Sequence, residues 1–416
     1  MLARTPWFYG WNIVAIAVTY QAITYGIAIY GFTFWVPFWE AEFSAGRGNI
    51  MLIFMAIQVG MAIFAPLAGR AADRLPIRWL VLTGGLFYAV GLALSAYAQA
   101  LWQIGIVFSV TIVVGLLLAG AITAQTITAR WFDHNTGTAL GIVSTGTSIG
   151  GLLLPLLIVY LQSSFGWREA NLWLAGLVLL VIAPGCLFIR DNPQPGGTQP
   201  DPNPASAAAA NVPHHPAWTF RGVLSTWSFW SMALCFSVLS AIFIAIQQNL
   251  APLALDNDID ALAVSTVVAV MAFVMIGAKL LFGFLADRID IRILYLIAGT
   301  ALAVALLLLS LSEITYFVLL TIAVLAGVAT ASSMPLSATI IRRDFGPLAF
   351  GRVKGLMYTV LACSAIGPWV AGTIYDSTGS YDTAWLVLGL LLVPAAIASS
   401  GLSGKAATRP ATAEQS

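Results

Sequence analysis

Long apolar stretches alternate with short polar connections along almost the whole chain. A helix needs roughly 20 apolar residues to cross a bilayer, and the short alternating strands of a membrane β-barrel are missing from the sequence. Only helices and closed barrels satisfy their backbone hydrogen bonds in lipid. The pattern therefore predicts an all-α polytopic membrane protein with twelve transmembrane helices, spans 1 to 12 in chain order: 11–36, 48–69, 78–98, 101–128, 137–161, 169–189, 225–252, 261–285, 293–311, 314–340, 352–375 and 382–402.

The longest polar connection separates span 6 from span 7. It contains DNPQPGGTQPDPNP, an alanine run and the pair His214 and His215. Such composition cannot bury a core, so we interpret the segment as a flexible linker. A metal site at the two histidines is the alternative. The predicted domains are a six-helix bundle at 1–190, the linker at 191–224, a second six-helix bundle at 225–402 and a tail at 403–416.

A repeated motif relates the two bundles to each other. The sequence GRAADRLPIR at 69–78 matches GFLADRIDIR at 283–292, an offset of 214 positions. The same offset relates Gly137 to Gly351 and Gly141 to Gly355, at the starts of spans 5 and 11. A constant offset across separate motifs predicts two pseudo-symmetric halves, the arrangement of alternating-access carriers.

The repeated motif also carries charges that suit a latch between the halves. Its glycine allows close helix approach, and its aspartate can accept hydrogen bonds from a helix N-terminus or an arginine. The alternative is that these charges only set the membrane topology. We predict a gating latch on the side of the membrane that holds the linker, formed by Gly69, Asp73, Arg74, Arg130, Gly283, Asp287 and Arg288.

Basic residues lie almost entirely on one side of the predicted membrane. If the spans alternate in direction, only Arg47 and Arg168 fall on the opposite side. We call the side with the linker the linker end and the opposite side the outer end. The positive-inside rule makes the linker end, with both chain termini, cytoplasmic. The first apolar stretch is too long for a signal-peptide core, so we predict a multi-pass protein of the cell inner membrane.

Composition agrees with a membrane protein and excludes several other classes. The chain is 60% hydrophobic and 8% charged, whereas soluble domains carry about 25% charged residues. A net charge of +1 excludes the basic surface that nucleic-acid binding needs. Cys186, Cys235 and Cys363 lie too far apart for a metal-ligand spacing. The sequence shows no nucleotide, metal or catalytic motif, so we predict neither an enzyme nor a cofactor.

A lysine stands deep within span 8. Lys279 precedes Asp287 by eight residues, which places it about 12 Å from the loop at the rise of an α-helix. A charge at a helix centre costs about 2.5–3.5 kcal/mol on insertion scales, so it is a functional candidate by default. The predicted span cores contain no acidic partner for it, so we expect a mobile anion there. A lysine that snorkels toward water is the alternative.

Other polar side chains are candidates for lining a cavity, although interfacial anchoring and helix packing are equally open for them. In span 7, a helix break before Pro252 is predicted as either an external gate or an ordinary helix end. The stretch GIVSTGTSIGG at 141–151 predicts a helix-packing face that permits sliding between the halves. The candidate substrate-binding residues are Lys279, Tyr25, Tyr30, Gln125, Gln247 and Tyr358.

The repeated loop motifs resemble the signature of the major facilitator superfamily, and the resemblance covers essentially the whole chain. FYGW at 8–11, RWF at 130–132 and AFVMIGAKLLFGFLAD at 272–287 more narrowly resemble the monocarboxylate porter and oxalate–formate antiporter branch. Lys279 falls where that branch carries a substrate-pairing arginine. Met275 stands where an acidic residue often serves proton coupling, and Leu361 stands where the oxalate–formate relatives have a lysine. The resemblance therefore implies a site for a single carboxylate.

These observations favour a secondary active transporter that moves a small organic anion, such as a monocarboxylate, by alternating access. Proton symport and anion exchange both remain open as the coupling mode. The alternative is a drug or siderophore carrier of the same fold with a larger apolar cavity. The expected partners are a small carboxylate anion, protons and the lipid bilayer, with no nucleic acid, and the expected state is a monomer.

Overall fold

The computed structural model describes residues 8–132, 136–191, 220–286, 288–345 and 350–402, and this part of the chain is almost entirely helical. The first half holds span 1 at Gly10–Tyr30, span 2 at Arg47–Arg74, span 3 at Ile77–Ser95, span 4 at Leu101–Trp131, and spans 5 and 6 within Thr136–Phe188. The second half holds span 7 at Trp227–Leu255, span 8 at Ala261–Ala286, span 9 at Ile291–Leu311, span 10 at Tyr316–Ile341, span 11 at Val353–Thr378 and span 12 at Asp382–Gly401.

Spans 5 and 6 form one long helical stretch that turns back on itself. Eleven stretches of the described chain are long and apolar enough to cross a membrane, and one of them, Ala139–Phe188, has 50 residues. At about 1.5 Å per residue this is more than twice the hydrocarbon thickness of a bilayer. Gly166 breaks it with φ 78° and ψ 163°, a backbone conformation that glycine adopts readily. The stretch supplies two crossings, which confirms the prediction of twelve spans.

Span 1 is shorter and less regular than the apolar pattern predicts. Its α-helix ends at Tyr25 and continues as a π-helical turn at Gly26–Tyr30. The amide of Gly31 donates to the carbonyl of Gly26 at 2.9 Å, the five-residue spacing of a π turn. A 3₁₀ turn at Phe32–Phe34 and a short helix at Val36–Phe43 follow. Such π turns are frequent at functional sites, and this one presents Tyr30.

The predicted break in span 7 is wrong. The helix runs without interruption from Trp227 to Leu255 and includes Pro252. Proline cannot donate a backbone hydrogen bond, and the helix tolerates it here close to its end. The amide of the preceding residue, Ala251, donates to the Thr33 hydroxyl in the other half at 2.9 Å. Contacts with span 1 therefore support a continuous helix at this point.

The glycines of span 5 pack against span 1 of the same half, while Ser148 of the same stretch reaches span 8 of the second half. A Cβ atom added to Gly150 would lie 2.1 Å from the carbonyl oxygen of Ala22 in span 1. One added to Gly146 would lie 2.9 Å from the carbonyl oxygen of Val18. Only glycine permits this close approach. The prediction of a packing face is therefore correct, and its glycines use it for close contact with span 1 of the same half.

The two halves touch mainly toward the outer end. Span 2 packs against Ile366–Thr378 of span 11, span 5 against span 8, and the 3₁₀ turn Phe32–Phe34 after span 1 against span 7. A Cβ atom on Gly372 would lie 2.9 Å from the backbone of Arg47. At the linker end, Cβ atoms on Gly69, Gly141 and Gly355 would each meet no atom within 4 Å. Every hydrogen bond that the described residues form between the halves lies at mid-span or at the outer end. In the described part of the chain the halves are therefore joined there and not at the linker end.

The boundaries of the linker and tail stay predictions. Residues 192–219, with His214 and His215, and residues 403–416 lie outside the described part of the chain. A short helix at Phe220–Leu224 leads into span 7.

Candidate functional site

Lys279 lies between the two halves. It projects from span 8, and its Nζ donates a hydrogen bond to the Ser148 hydroxyl of span 5 at 2.9 Å. No Asp or Glu oxygen comes within ion-pair distance of this ammonium among the described residues. An ammonium has three donors, so the described contacts use one of them. A neutral hydroxyl also leaves its charge uncompensated.

Tyr30 places an aromatic hydroxyl beside the same lysine. Its side chain is buried, and the hydroxyl donates to Met275 Sδ at 3.6 Å, one helical turn before Lys279. The Tyr30 ring packs closely against Gly151, because a Cβ atom added there would lie 2.6 Å from the ring. The hydroxyl also approaches Ser148. Spans 1, 5 and 8 thus bring together four side chains, which we call the lysine cluster: Tyr30, Ser148, Met275 and Lys279.

Tyr25 and Tyr358 come from different halves and lie near each other. Tyr25 in span 1 and Tyr358 in span 11 lie close enough to interact electrostatically. Tyr358 is 43% exposed, and Tyr25 is half-buried. A Cβ atom on Gly120 would lie 3.2 Å from the Tyr25 ring, so span 4 supports this ring from behind. The structure therefore brings three of the predicted substrate residues, Tyr25, Tyr30 and Tyr358, to the interface between the halves.

Neither of the two predicted glutamines has a described hydrogen bond to the lysine cluster. Gln125 is half-buried on the helix Ala121–Trp131 of span 4. Gln247 is 1% exposed, and its Nε2 has no hydrogen-bond partner in the described structure. Its neighbour Gln248 donates to the carbonyl of Ile29 in the other half at 2.9 Å. Both predicted glutamines stay predictions as substrate ligands.

Sequence reasoning missed the strongest polar contact between the halves, which is centred on Arg47. The whole Arg47 residue is buried, with 4% of its surface exposed. Its Nη1 and Nη2 donate to the two carboxylate oxygens of Asp256 at 2.6 and 2.7 Å. Its Nε donates to Glu40 at 3.0 Å, and Nη1 also donates to the Tyr381 hydroxyl at 3.1 Å. Such two-point pairs are the strong form of charged hydrogen bond.

Asp376 adds a second contact at the same place. Its carboxylate oxygens accept from the backbone amides of Arg47 and Gly48, each at 2.8 Å. These amides open span 2, where a helix carries partial positive charge and unpaired donors. We call Arg47, Asp256, Asp376 and Tyr381 the outer clamp. It joins span 2 of the first half to spans 7 and 11 of the second, so it closes the outer end.

Arg168, the other basic residue of the outer end, acts within one half. It pairs with Glu42, and it donates to the carbonyls of Ala96 and Ala98 at 2.6 and 2.7 Å. Burial alone would raise the pKa of Glu42, but hydrogen bonds from Arg168 and Trp167 hold that pKa below its ordinary value. These contacts tie span 6 to the connections beside spans 1 and 3. In the sequence, both arginines stand out because they are the basic residues of a predicted membrane side that is otherwise acidic.

The predicted latch residues do not meet across the halves in this structure. Arg130 donates to the carbonyls of Ala72 and Asp73 in its own half. Arg288 lies 3.7 Å from the ring centroid of Phe284 on its own span. Asp287 lies outside the described residues. With the linker end open, the latch remains a prediction for a state in which that end closes.

The comparisons with known proteins decide the family. The family model of the Major Facilitator Superfamily matches residues 17–253 and again residues 237–415. The chain belongs to the major facilitator superfamily. The resemblance carried by the loop motifs is thereby confirmed, and the two matches, which overlap in span 7, together cover almost the whole chain. Members of this superfamily are transporters.

Named relatives lie in one branch of the superfamily. The chain is 25% identical over 405 residues to "Monocarboxylate transporter 11" of Homo sapiens, and the alignment covers 95% of this chain and 83% of the relative. It is 23% identical over 413 residues to "Monocarboxylate transporter 12" of Homo sapiens, which covers 92% and 78%. "Monocarboxylate transporter 9" of Mus musculus is 31% identical over 207 residues, 49% of this chain and 39% of the relative.

A solved structure of another superfamily member has the same fold. It is a bacterial homologue of the human lysosomal transporter Spinster in an inward-facing, unoccupied conformation. The TM-score is 0.71 at 16% sequence identity, over 96% of this chain and 98% of the other. At this identity the likeness concerns the fold alone. The twelve-span major facilitator architecture is the shared feature.

Proposed function

We propose that this major facilitator transporter moves a small monocarboxylate across the cell inner membrane, with Lys279 binding the carboxylate. The observation that carries the proposal is the ammonium of Lys279 between the two halves, with only the Ser148 hydroxyl as a described hydrogen-bond partner. A charge within a span is costly unless it is paired. A carboxylate substrate would supply the missing negative charge each time it binds.

The geometry of the lysine cluster suits a small anion. A carboxylate at Lys279 would have the hydroxyls of Ser148 and Tyr30 as further donors. Because Ser148 and Tyr30 belong to the first half and Lys279 to the second, one bound anion would contact both halves. Ligands of alternating-access carriers bind at this kind of interface near the bilayer midplane. The names of the relatives support the same substrate class.

The observed state fits one step of an alternating-access cycle. The outer clamp closes the outer end, while the linker end is open around Gly69, Gly141 and Gly355. With both termini placed in the cytoplasm by the positive-inside rule, we interpret this state as inward-facing. The reverse state would open the clamp and bring the linker-end loops together, and there the predicted latch would form.

Proton symport and anion exchange are both compatible with the site as modes of coupling. Met275 occupies the position one turn before Lys279 where an acidic side chain would otherwise serve a proton. A proton could instead move with the anion if Lys279 changes its charge during the cycle. Exchange of one anion for another would keep the lysine charged throughout. A monomer, the expected state, can carry out either mode of coupling.

The test is uptake of labelled L-lactate, pyruvate and acetate into proteoliposomes that contain the purified protein. We expect saturable uptake by the wild type, a loss of at least tenfold for Lys279→Ala, and substantial recovery for Lys279→Arg. Arg78→Gln removes an exposed cation that stacks on Trp79 at the linker end and serves as the matched control. Equal uptake by wild type and Lys279→Ala would reject the proposal. Transport of an apolar drug or a siderophore instead would favour the alternative carrier.

A further inference from the structure

A second lysine lies inside a span without a carboxylate beside it. Lys354 is on the helix Phe350–Leu361 at the start of span 11. Its Nζ donates to the Ser337 hydroxyl of span 10 at 2.8 Å and lies 5.4 Å from the ring centroid of Tyr358. Within the described ranges, no Asp or Glu oxygen reaches ion-pair distance of this ammonium. Lys354 therefore repeats the chemistry of Lys279.

The neutral partners of Lys354 do not compensate its charge. The Ser337 hydroxyl donates its own proton to the carbonyl of Met334 at 3.0 Å and accepts from the lysine. The face of the Tyr358 ring attracts a cation weakly. Two of the three ammonium donors have no described partner. The arrangement holds the amine in place and leaves it able to bind an anion.

Lys354 lies near the boundary between the halves. Tyr358 follows it by four residues, so both side chains project from the same face of the helix. The helix Phe350–Leu361 that carries both side chains contacts Arg47–Arg74, span 2 of the first half, as well as spans 7 and 10 of its own half. Lys354 therefore stands on a helix at the interface between the halves.

The two lysines lie at different depths. Lys354 is four residues from the start of its helix at Phe350, or about 6 Å along the axis. Lys279 is seven residues from the end of span 8 at Ala286, or about 11 Å. Both of these helix ends are at the linker end, which is the open end in this structure. A solute that moves from the linker end toward Lys279 would meet Lys354 first.

We propose that Lys354, with Ser337 and Tyr358, forms a second carboxylate-binding position between the linker end and the lysine cluster. The anion is held there after it leaves the water of the linker end and before it reaches Lys279, and in the reverse order on its way out. This inference rests on the proposed function, because it takes the solute to be a monocarboxylate. It differs from a topology role, in which the charge of Lys354 would serve only membrane insertion.

Sided transport measurements test the position. L-Lactate uptake is measured in inside-out and right-side-out vesicles, for wild type and Lys354→Gln. We expect the KM from the linker end to rise about tenfold and the KM from the outer end to stay within twofold. Lys354→Arg should stay close to wild type from both sides, and Arg78→Gln is the control. An unchanged KM from the linker end, or an equal rise from both sides, would overturn the separate position.

A second measurement does not depend on the substrate. A Cβ atom on Gly355 would meet no atom within 4 Å, so Gly355→Cys adds a thiol beside Lys354 without a clash. We compare its reaction rates with anionic and cationic methanethiosulfonates, after subtracting the reaction of the parent protein. The preference for the anionic reagent should fall at least fivefold when Lys354→Gln is added. No change, or no reaction with either reagent, would overturn the site. A positive result without lactate transport would retain the anion position and reject the monocarboxylate.

Discussion

Arg47 and Arg168 both lie at the outer end, and each pairs with a carboxylate, but they connect different parts of the molecule. The Arg47 side chain is 5% exposed and reaches from the first half to Asp256 in the second. The Arg168 side chain is 36% exposed, and its partner Glu42 belongs to the same half. One pair therefore has to break when the halves rock apart, whereas the other can persist through the cycle.

Burial makes the difference larger. An exposed ion pair contributes about 0–1 kcal/mol. Arg47 is buried while its partner Asp256 is 32% exposed, and each hydrogen bond to a charged group contributes about 1.5–3 kcal/mol. The same type of contact is thus a weak brace at Arg168 and a strong conformational lock at Arg47. We expect substitutions at Arg47 to change the balance between states, and substitutions at Arg168 to change stability alone.

The largest effect is expected for Arg47→Ala. Loss of the clamp should favour the state with an open outer end by about 3 kcal/mol, roughly a 100-fold change in the equilibrium. Thr33 is fully buried beneath the clamp, so Thr33→Cys reports opening through its reaction with an impermeant maleimide. The labelling rate should rise steeply in the Arg47→Ala background, and lactate uptake should fall at least tenfold.

Arg168→Ala is the matched control for that experiment. It removes the same charge from the same end, and the labelling of Thr33→Cys should stay within twofold of its starting value. Equal labelling of the two arginine variants would show that the clamp does not hold the outer end closed.

A smaller effect is expected for Asp376→Asn. The amide oxygen can still accept one of the two backbone amides of Arg47 and Gly48, but the charge at the start of span 2 is lost. Interactions of a carboxylate with a helix N-terminus contribute about 0.3–1 kcal/mol, and up to ~2 kcal/mol when partly buried. Labelling at Thr33→Cys should therefore rise about fivefold, less than in Arg47→Ala. An increase as large as that of Arg47→Ala would place the centre of the clamp at Asp376.

Tyr381→Phe should weaken the clamp least. Its hydroxyl accepts from Arg47 at 3.1 Å and donates to Asn249 at 3.1 Å. The stacked ring, 5.4 Å from Trp385, remains in the variant. A single hydrogen bond contributes about 0.5–1.5 kcal/mol. We expect the low end, about a twofold effect, because the same arginine nitrogen still pairs with Asp256. We expect a rise in Thr33→Cys labelling of threefold or less, and a decrease would contradict the clamp.

The contrast between the two arginines also shows which features can be predicted from sequence. Bilayer thickness imposes span length, so the apolar pattern predicts the twelve crossings, and Lys279 stands out because a charge interrupts an apolar run. The clamp joins Arg47 to Asp256 across 209 positions, and no local pattern announces such a pair. In the sequence, Lys354 resembles the other basic residues of the linker end, because its position at the edge of span 11 hides the contacts with Ser337 and Tyr358.

The Arg168 pair offers the smallest prediction, a pH dependence of stability. Because the pKa of Glu42 is depressed in the folded protein, its contribution is present above the ordinary carboxyl pKa and is lost as pH falls through the folded pKa. Glu42→Gln should therefore destabilise the protein slightly at pH 7, by less than about 1 kcal/mol for a pair so exposed. This difference should start to shrink as pH falls below the ordinary carboxyl pKa of about 4.3. Thermal unfolding of both proteins between pH 7 and pH 3 measures it, with lactate uptake at pH 7 equal in the two. A difference that grows toward acid would mean that Glu42 is not held as a carboxylate by Arg168, and a change in uptake would mean that this brace also takes part in the movement of the halves.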